Sequence, residues 1–215
     1  MNKGKHCPFC GTDQALFTEG TPEAELHAIS TRTLATFGEV RLCAGLGAIV
    51  EPYIIAYTRR HFHAATELDA AHRGDLLDAL DGCLATKHFP SRKLTVFEHG
   101  SKLDRGSSAC ISHCHWHIID GQYDLRAPLA ITYQNVETAS LSEAEVFVAD
   151  EYLFTGSYDG RRIVSGVVAR PPNEFRSQYF RQVVAQLYGG GLPWNWRLSP
   201  RLDAAVKLKR DWNAG

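Results

Sequence analysis

The segment Ser112-His113-Cys114-His115-Trp116-His117-Ile118-Ile119 sets three imidazoles at every second position. Side chains alternate faces along a β-strand, so His113, His115 and His117 share one face of such a strand. Cys114, Trp116 and Ile118 then share the other, where apolar bodies suit a core. Three imidazoles are hard to explain by packing, because burying their ring nitrogens without partners is costly. Histidine also changes charge readily near neutral pH. Two chemistries fit the histidine face: coordination of a metal by neutral imidazole, or nucleophilic catalysis in which one ring attacks and its neighbours orient it. Chance is a poor third explanation, since ten histidines in 215 residues rarely fall into strict alternation.

A second constellation lies at the start of the chain. Cys7-Pro8-Phe9-Cys10 has the C-x-x-C spacing, which suits metal binding or redox chemistry and also occurs by chance. The opening MNKGKHCPFC lacks the apolar core of a secretory signal, and no stretch approaches the ~20 apolar residues of a membrane span. A cytoplasmic protein with no membrane partner is therefore expected. In that compartment Cys43, Cys83, Cys110 and Cys114 read as free thiols rather than disulfides. With a net charge of −1, bulk electrostatic attraction to nucleic acid is excluded, so any phosphate recognition is local.

The elements that must position these residues are legible in outline. Residues 24–43 read as two short strands broken near Thr36–Gly38, and residues 52–57 as a buried strand. Leu68, Leu76, Leu77, Leu80 and Leu84 recur at helical intervals between Thr66, the expected N-cap, and Thr86. Leu94–Glu98 resumes strand, His99–Ser108 reads as a loop, and Ala109–Ile119 as the histidine strand. Further on, Tyr152–Tyr158 and Arg161–Val168 flank Asp159-Gly160, a hairpin signal. Phe175, Tyr179, Phe180, Val183, Val184 and Leu187 then describe a helix stopped by Gly189–Gly191. Trp194-Asn195-Trp196-Arg197 is expected to be buried against the domain or a partner subunit. Strands, one helix, strands, hairpin and helix in that order predict an α+β fold on an antiparallel sheet. Residues 1–122 are expected to form the catalytic part with its N-terminal arm, and residues 123–215 an extension packed on it or on a second subunit.

The run His113-Cys114-His115-Trp116-His117-Ile118-Ile119 resembles the His-φ-His-φ-His-φ-φ signature of the histidine-triad superfamily. The upstream order is similar too: an apolar strand ending at Thr58-Arg59-Arg60-His61, then helix, strand, glycine-containing loop and triad strand. The likeness covers about residues 5–120. It implies a histidine-triad-like antiparallel sheet, a homodimer, and attack on the α-phosphate of a small-molecule nucleotide by the middle histidine. Carried over by position, His115 is the nucleophile, His117 bonds a phosphate oxygen or the leaving group, and His113 completes the triad. Glu98, Gly100, Cys110, Ile111 and Ser112 fall at nucleotide-binding positions. Two of these depart from the pattern of small family members, which often carry Asn at the place of Glu98 and a hydroxyl residue at the place of Cys110. A carboxylate there would repel phosphate unless it met a ribose hydroxyl, a metal or a protonated partner.

Some bacterial members of the superfamily complete an N-terminal C-x-x-C with two histidines around structural zinc. The resemblance places that set here as Cys7, Cys10, His61 and His113, with His6 and His63 as competing ligands. Hydrolysis of a dinucleoside polyphosphate or a phosphoramidate-like nucleotide is the leading expectation. Transfer to phosphate or another acceptor, a zinc-stabilised nucleotide-binding protein without turnover, and a metalloenzyme using all three triad histidines are the alternatives.

Overall fold

The computed structural model describes residues 7–10, 29–101, 111–133, 136–138, 151–161, 163–169 and 176–214, with the backbone alone at 29, 30, 136–138 and 163–169. Among the described residues, eight strands form one sheet: β1 Thr33–Phe37, β2 Val40–Ala44, β3 Tyr53–Thr58, β4 Leu94–Ser101, β5 His115–Asp120, β6 Val136–Thr138, β7 Glu151–Tyr158 and β8 Ile163–Ala169. Their spatial order is β1-β2-β3-β5-β4-β7-β8-β6, and the neighbours pair antiparallel. The helices are α1 Ile29–Arg32, α2 Ala70–Ala85, α3 Arg126–Thr132, α4 Tyr179–Leu187 and α5 Leu202–Asn213. The fold is thus α+β, with one main helix after the first strands and a hairpin and helices in the second half.

Strand β3 is buried along its whole length, as a central strand covered on both faces must be. Ile54 and Ala56 join Leu76, Ala79 and Leu80 of α2, together with Val96, Trp116 and Ile118, in a core on one face. Tyr53, Ile55 and Tyr57 point to the opposite face, where Phe97, Ile119, Phe180 and Val184 build a second core under α4. The histidine segment lies in the middle of this two-sided arrangement. In register, Ile55 faces His117 and Tyr57 faces His115 across the β3–β5 pair.

Several boundaries differ from expectation. Helix α2 begins after Asp69, whose side chain accepts from the His72 N–H at 2.9 Å; Thr66 sits in a separate 3-10 turn, Ala65–Glu67. A short carboxylate one turn later is the better cap for the exposed N–H groups. Residues 29–32, expected as strand, form the short α1. Strand β4 continues through Ser101 because it pairs with β7 over eight positions, from Leu94–Tyr158 to Ser101–Glu151. The β7–β8 hairpin therefore extends the sheet that holds the histidines. Its paired ends are Tyr158 and Ile163, so residues 159–162 separate them, rather than two residues alone. Helix α5 has no counterpart among the elements expected from sequence. Leu208 and Trp212 lay its apolar side on the α2-side core, and Trp212 stacks on His88 with ring centroids 5.5 Å apart.

The histidine strand itself is shorter than the alternation predicts. Strand β5 starts at His115, and residues 111–114 bend away to meet the segment after β3. There the Cys114 N–H donates to the Phe62 carbonyl at 2.6 Å. His113 is consequently off the strand, and its ring is free to serve a different neighbourhood from the other two.

Candidate functional site

The bend carries His113 to the N-terminal arm. The Cys7 Sγ lies 3.3 Å from His113 Nδ1, the Cys10 Sγ 3.3 Å from His61 Nδ1, and the two histidine Nδ1 atoms 3.2 Å from each other. All four donor atoms lie within 4.8 Å of one another. Two nitrogens held ~2.05 Å from a tetrahedral cation are separated by about 3.3 Å, so these edges suit one shared ion. The far side of the His113 ring reinforces this. Its Nε2 sits 2.7 Å from the Thr58 carbonyl, which can only accept, so Nε2 carries the proton and Nδ1 presents a lone pair to the cluster. Burial first, with the neighbouring Cys10 thiol added, pushes the Cys7 thiol up to about 12; burial first, with the charges of His61, His115 and His63 added, lowers the His113 imidazolium to about 3. A divalent cation reverses the thiol shift, since a coordinating thiol is deprotonated. His63 stands outside the cluster, 2.9 Å from the Ser112 hydroxyl through its Nδ1, and His6 lies outside the described residues.

His115 and His117 face the core under α4, side by side with ring centroids 5.1 Å apart. His115 Nδ1 meets the His113 carbonyl at 2.6 Å. A carbonyl has no hydrogen to give, so His115 Nδ1 is the protonated nitrogen and Nε2 is left as a bare lone pair. Burial, with the charges of His99 and Arg181 added, lowers the His115 pKa to about 4, so that lone pair is available at neutral pH. His117 stacks on Phe97 with centroids 4.7 Å apart, and its Nδ1 lies 2.7 Å from the Tyr53 hydroxyl. Its pKa is pushed well below 6.5, first by burial and then by the charges of His115, Arg181 and His99. Phe9 covers this side: it stacks on Tyr57 at 4.7 Å and lies 5.2 Å from the His115 ring. The two constellations of the sequence therefore share a wall.

The nucleotide-binding positions carried over by resemblance are only partly brought together. Glu98 and Gly100 belong to the other face of β4, because the strand runs on through Ser101 and residues alternate along it. Glu98 is buried beside Trp116 and Cys114 on the α2 side, accepting from Tyr152 Oη at 2.5 Å and from the Ala65 N–H at 3.0 Å. Burial raises its carboxyl to about 7 against those hydrogen bonds. Gly100 is where the Tyr152 ring packs; a Cβ there would stand 2.3 Å from it. Both residues thus lie on the face of β4 turned away from His115 and His117, which separates the Glu98 carboxyl from the histidine face. Ile111 and Ser112 lie in the bend before β5, and Cys110 lies outside the described residues.

Four residues on the histidine face escape the sequence reading: Phe9, Tyr53, His99 and Arg181. His99 precedes Gly100 on β4 and pairs with Glu151 at 2.7 Å. Tyr53 and Tyr57 are accessible to a period-two reading along β3, given its pairing with β5. Arg181 leaves no sequence signal, since it stands among the apolar positions of a helix and looks like a solvated residue. It is instead buried at 3% exposure. Of the Arg pair after β3, Arg59 bonds Glu39 at the surface and Arg60 lies over the Phe62 ring.

Comparison with known proteins finds no matching family model and no matching curated protein. Among the described residues, no helix is long and apolar enough to cross a membrane.

Proposed function

We propose that this chain is a nucleotide hydrolase of the histidine-triad kind, with His115 as nucleophile and zinc as a structural ion. The observation that carries the reading is the hydrogen bond of His115 Nδ1 to the His113 carbonyl, which leaves Nε2 unprotonated on a face lined by His117. In the first step that lone pair attacks the α-phosphorus, a P–N bond forms, and the bond to the leaving group breaks with its electron pair. Water then attacks the nucleotidyl-histidine, the P–N bond breaks and its electron pair returns to His115. One water proton is released to solvent and balances the proton the departed group takes up. Dividing one displacement into two in this way is the advantage of a covalent intermediate. Zinc is the ion best matched to two thiolates and two imidazoles in a closed site. It ties the arm to His113 and takes no part in the displacement.

Intact-mass spectrometry of enzyme quenched during turnover of diadenosine tetraphosphate tests this. An adduct of one AMP, absent in His115→Ala, is the expected result. No adduct together with tight AMP binding overturns the enzymatic reading in favour of a nucleotide-binding protein. An adduct that discharges to ADP only when phosphate is added replaces hydrolysis with phosphorolysis.

A further inference from the structure

The second imidazole of the pair is held by a chain of donors that begins in the C-terminal part of the molecule. Arg181 Nη1 donates to Tyr53 Oη at 2.6 Å, and Tyr53 Oη lies 2.7 Å from His117 Nδ1. The guanidinium is itself anchored through carbonyls: Nη2 donates to Gly47 at 2.6 Å and Nε to Trp194 at 2.8 Å. Gly47 has to be glycine for this, since it adopts φ +61° and a Cβ would stand 2.7 Å from Arg181 Nη2. Among the described residues no carboxylate bonds Arg181, and its donors meet carbonyls and the Tyr53 hydroxyl behind the histidine face.

The direction of each bond follows from what the groups can do. Arginine only donates. Tyr53 Oη accepts that bond and has one hydrogen left, for which His117 Nδ1 is the acceptor among the described residues. His117 Nδ1 is therefore unprotonated, and the neutral ring carries its hydrogen on Nε2. His115 is set the other way round by the His113 carbonyl. Two adjacent imidazoles are thus locked in opposite tautomers, one offering a lone pair and the other an N–H.

We propose that Arg181 and Tyr53 are positioning residues that hold His117 as a neutral Nε2–H donor toward an oxygen of the transferring phosphate, with the buried guanidinium favouring the negative charge there. This rests on the nucleotidyl-transfer reading above, and it gives the region after residue 122 a part in the site. A donor fixed before the reaction needs no reorganisation as charge develops.

The test has two independent arms. Nitrogen-15 NMR of the wild-type histidines reads the tautomers directly, without substrate. His117 is expected with Nδ1 bare and Nε2 protonated, and His115 with the reverse. A His117 protonated at Nδ1 overturns the proposal whatever the activity. In the second arm, Tyr53→Phe and Arg181→Met are expected to lower kcat about tenfold, the scale of one lost hydrogen bond, with smaller changes in KM. Both should mix the His117 tautomers while leaving the His115 signals in place. Arg181→Lys should restore part of the rate. Unchanged kcat and unchanged His117 signals in Tyr53→Phe refute the assignment. A wild-type protein that forms no AMP adduct but shows the expected tautomers would refute the nucleotidyl-transfer reading alone.

Discussion

His113 and the pair His115–His117 share a residue type and a spacing, yet the fold places them in two different environments. His113 sits in a bend, its Nε2 given to the Thr58 carbonyl and its Nδ1 turned toward Cys7, Cys10 and His61. His115 and His117 sit on a strand, and their Nδ1 atoms are occupied from behind by a carbonyl and a phenol. Ring orientation follows from which nitrogen is used up by the protein. Where Nε2 is occupied, the ring presents Nδ1 to a compact cluster of ligands. Where Nδ1 is occupied, as in His115 and His117, the ring leaves Nε2 to the histidine face. One alternating motif thus supplies both a corner of a Cys/His cluster and a pair of imidazoles on a separate stretch of strand.

The largest expected effect breaks the reactive face alone. His115→Ala should reduce turnover by at least ~10³-fold, as loss of a covalent nucleophile does, with the melting temperature little changed. Steady-state kinetics and thermal melts check it, and retention of more than a small fraction of the activity would count heavily against the assignment. Breaking the other region should do the converse. Cys7→Ser or Cys10→Ser should release the ion, measured by elemental analysis, and lower the melting temperature by about 10 °C if roughly 3 kcal/mol of folding energy is lost. Adduct formation at His115 should persist. Equal metal content before and after the substitution would refute the corner.

The back of the sheet offers a control for both. Glu98 has its carboxyl raised to about 7 by burial, whereas an unfolded chain holds it at 4.5. Between those values the folded state binds the extra proton, so its contribution to stability is present below pH 4.5 and lost as pH rises through 7. The loss amounts to about 3 kcal/mol over that window. Glu98→Gln should flatten this dependence in denaturant titrations at several pH values. It should leave kcat nearly unchanged, because the side chain faces away from His115. A large fall in kcat would place Glu98 in the reaction after all. The smallest effect should come from the wall that the two regions share. Phe9→Ala removes an aromatic stack on Tyr57, worth about 1 kcal/mol, and should raise KM a few-fold while the metal content holds.

Much of this is legible in the residues. The alternation in Cys114-His115-Trp116-His117-Ile118 correctly divides core from the histidine face, because a pleated strand leaves side chains no other choice. The helix after β3 and the two strands of the C-terminal hairpin are readable from spacing. The face that Glu98 takes is not legible, because the residues alone suggest that β4 ends there. Its continuation depends on pairing with β7, more than fifty residues along the chain. Arg181 is invisible for a similar reason. A charged residue within a helix carries no mark of burial until its carbonyl partners are in place.

The sequence by itself determined which residue types could act and which way a strand would turn them. Those properties depend on side-chain chemistry and on a two-residue repeat, both local. The tertiary structure decided which nitrogen of each imidazole is left to do chemistry. That choice rests on groups far along the chain, with Cys7 separated from His113 by 106 residues and Arg181 from Tyr53 by 128. A ring nitrogen is committed by the one neighbour within about 3 Å of it, and only folding brings that neighbour there.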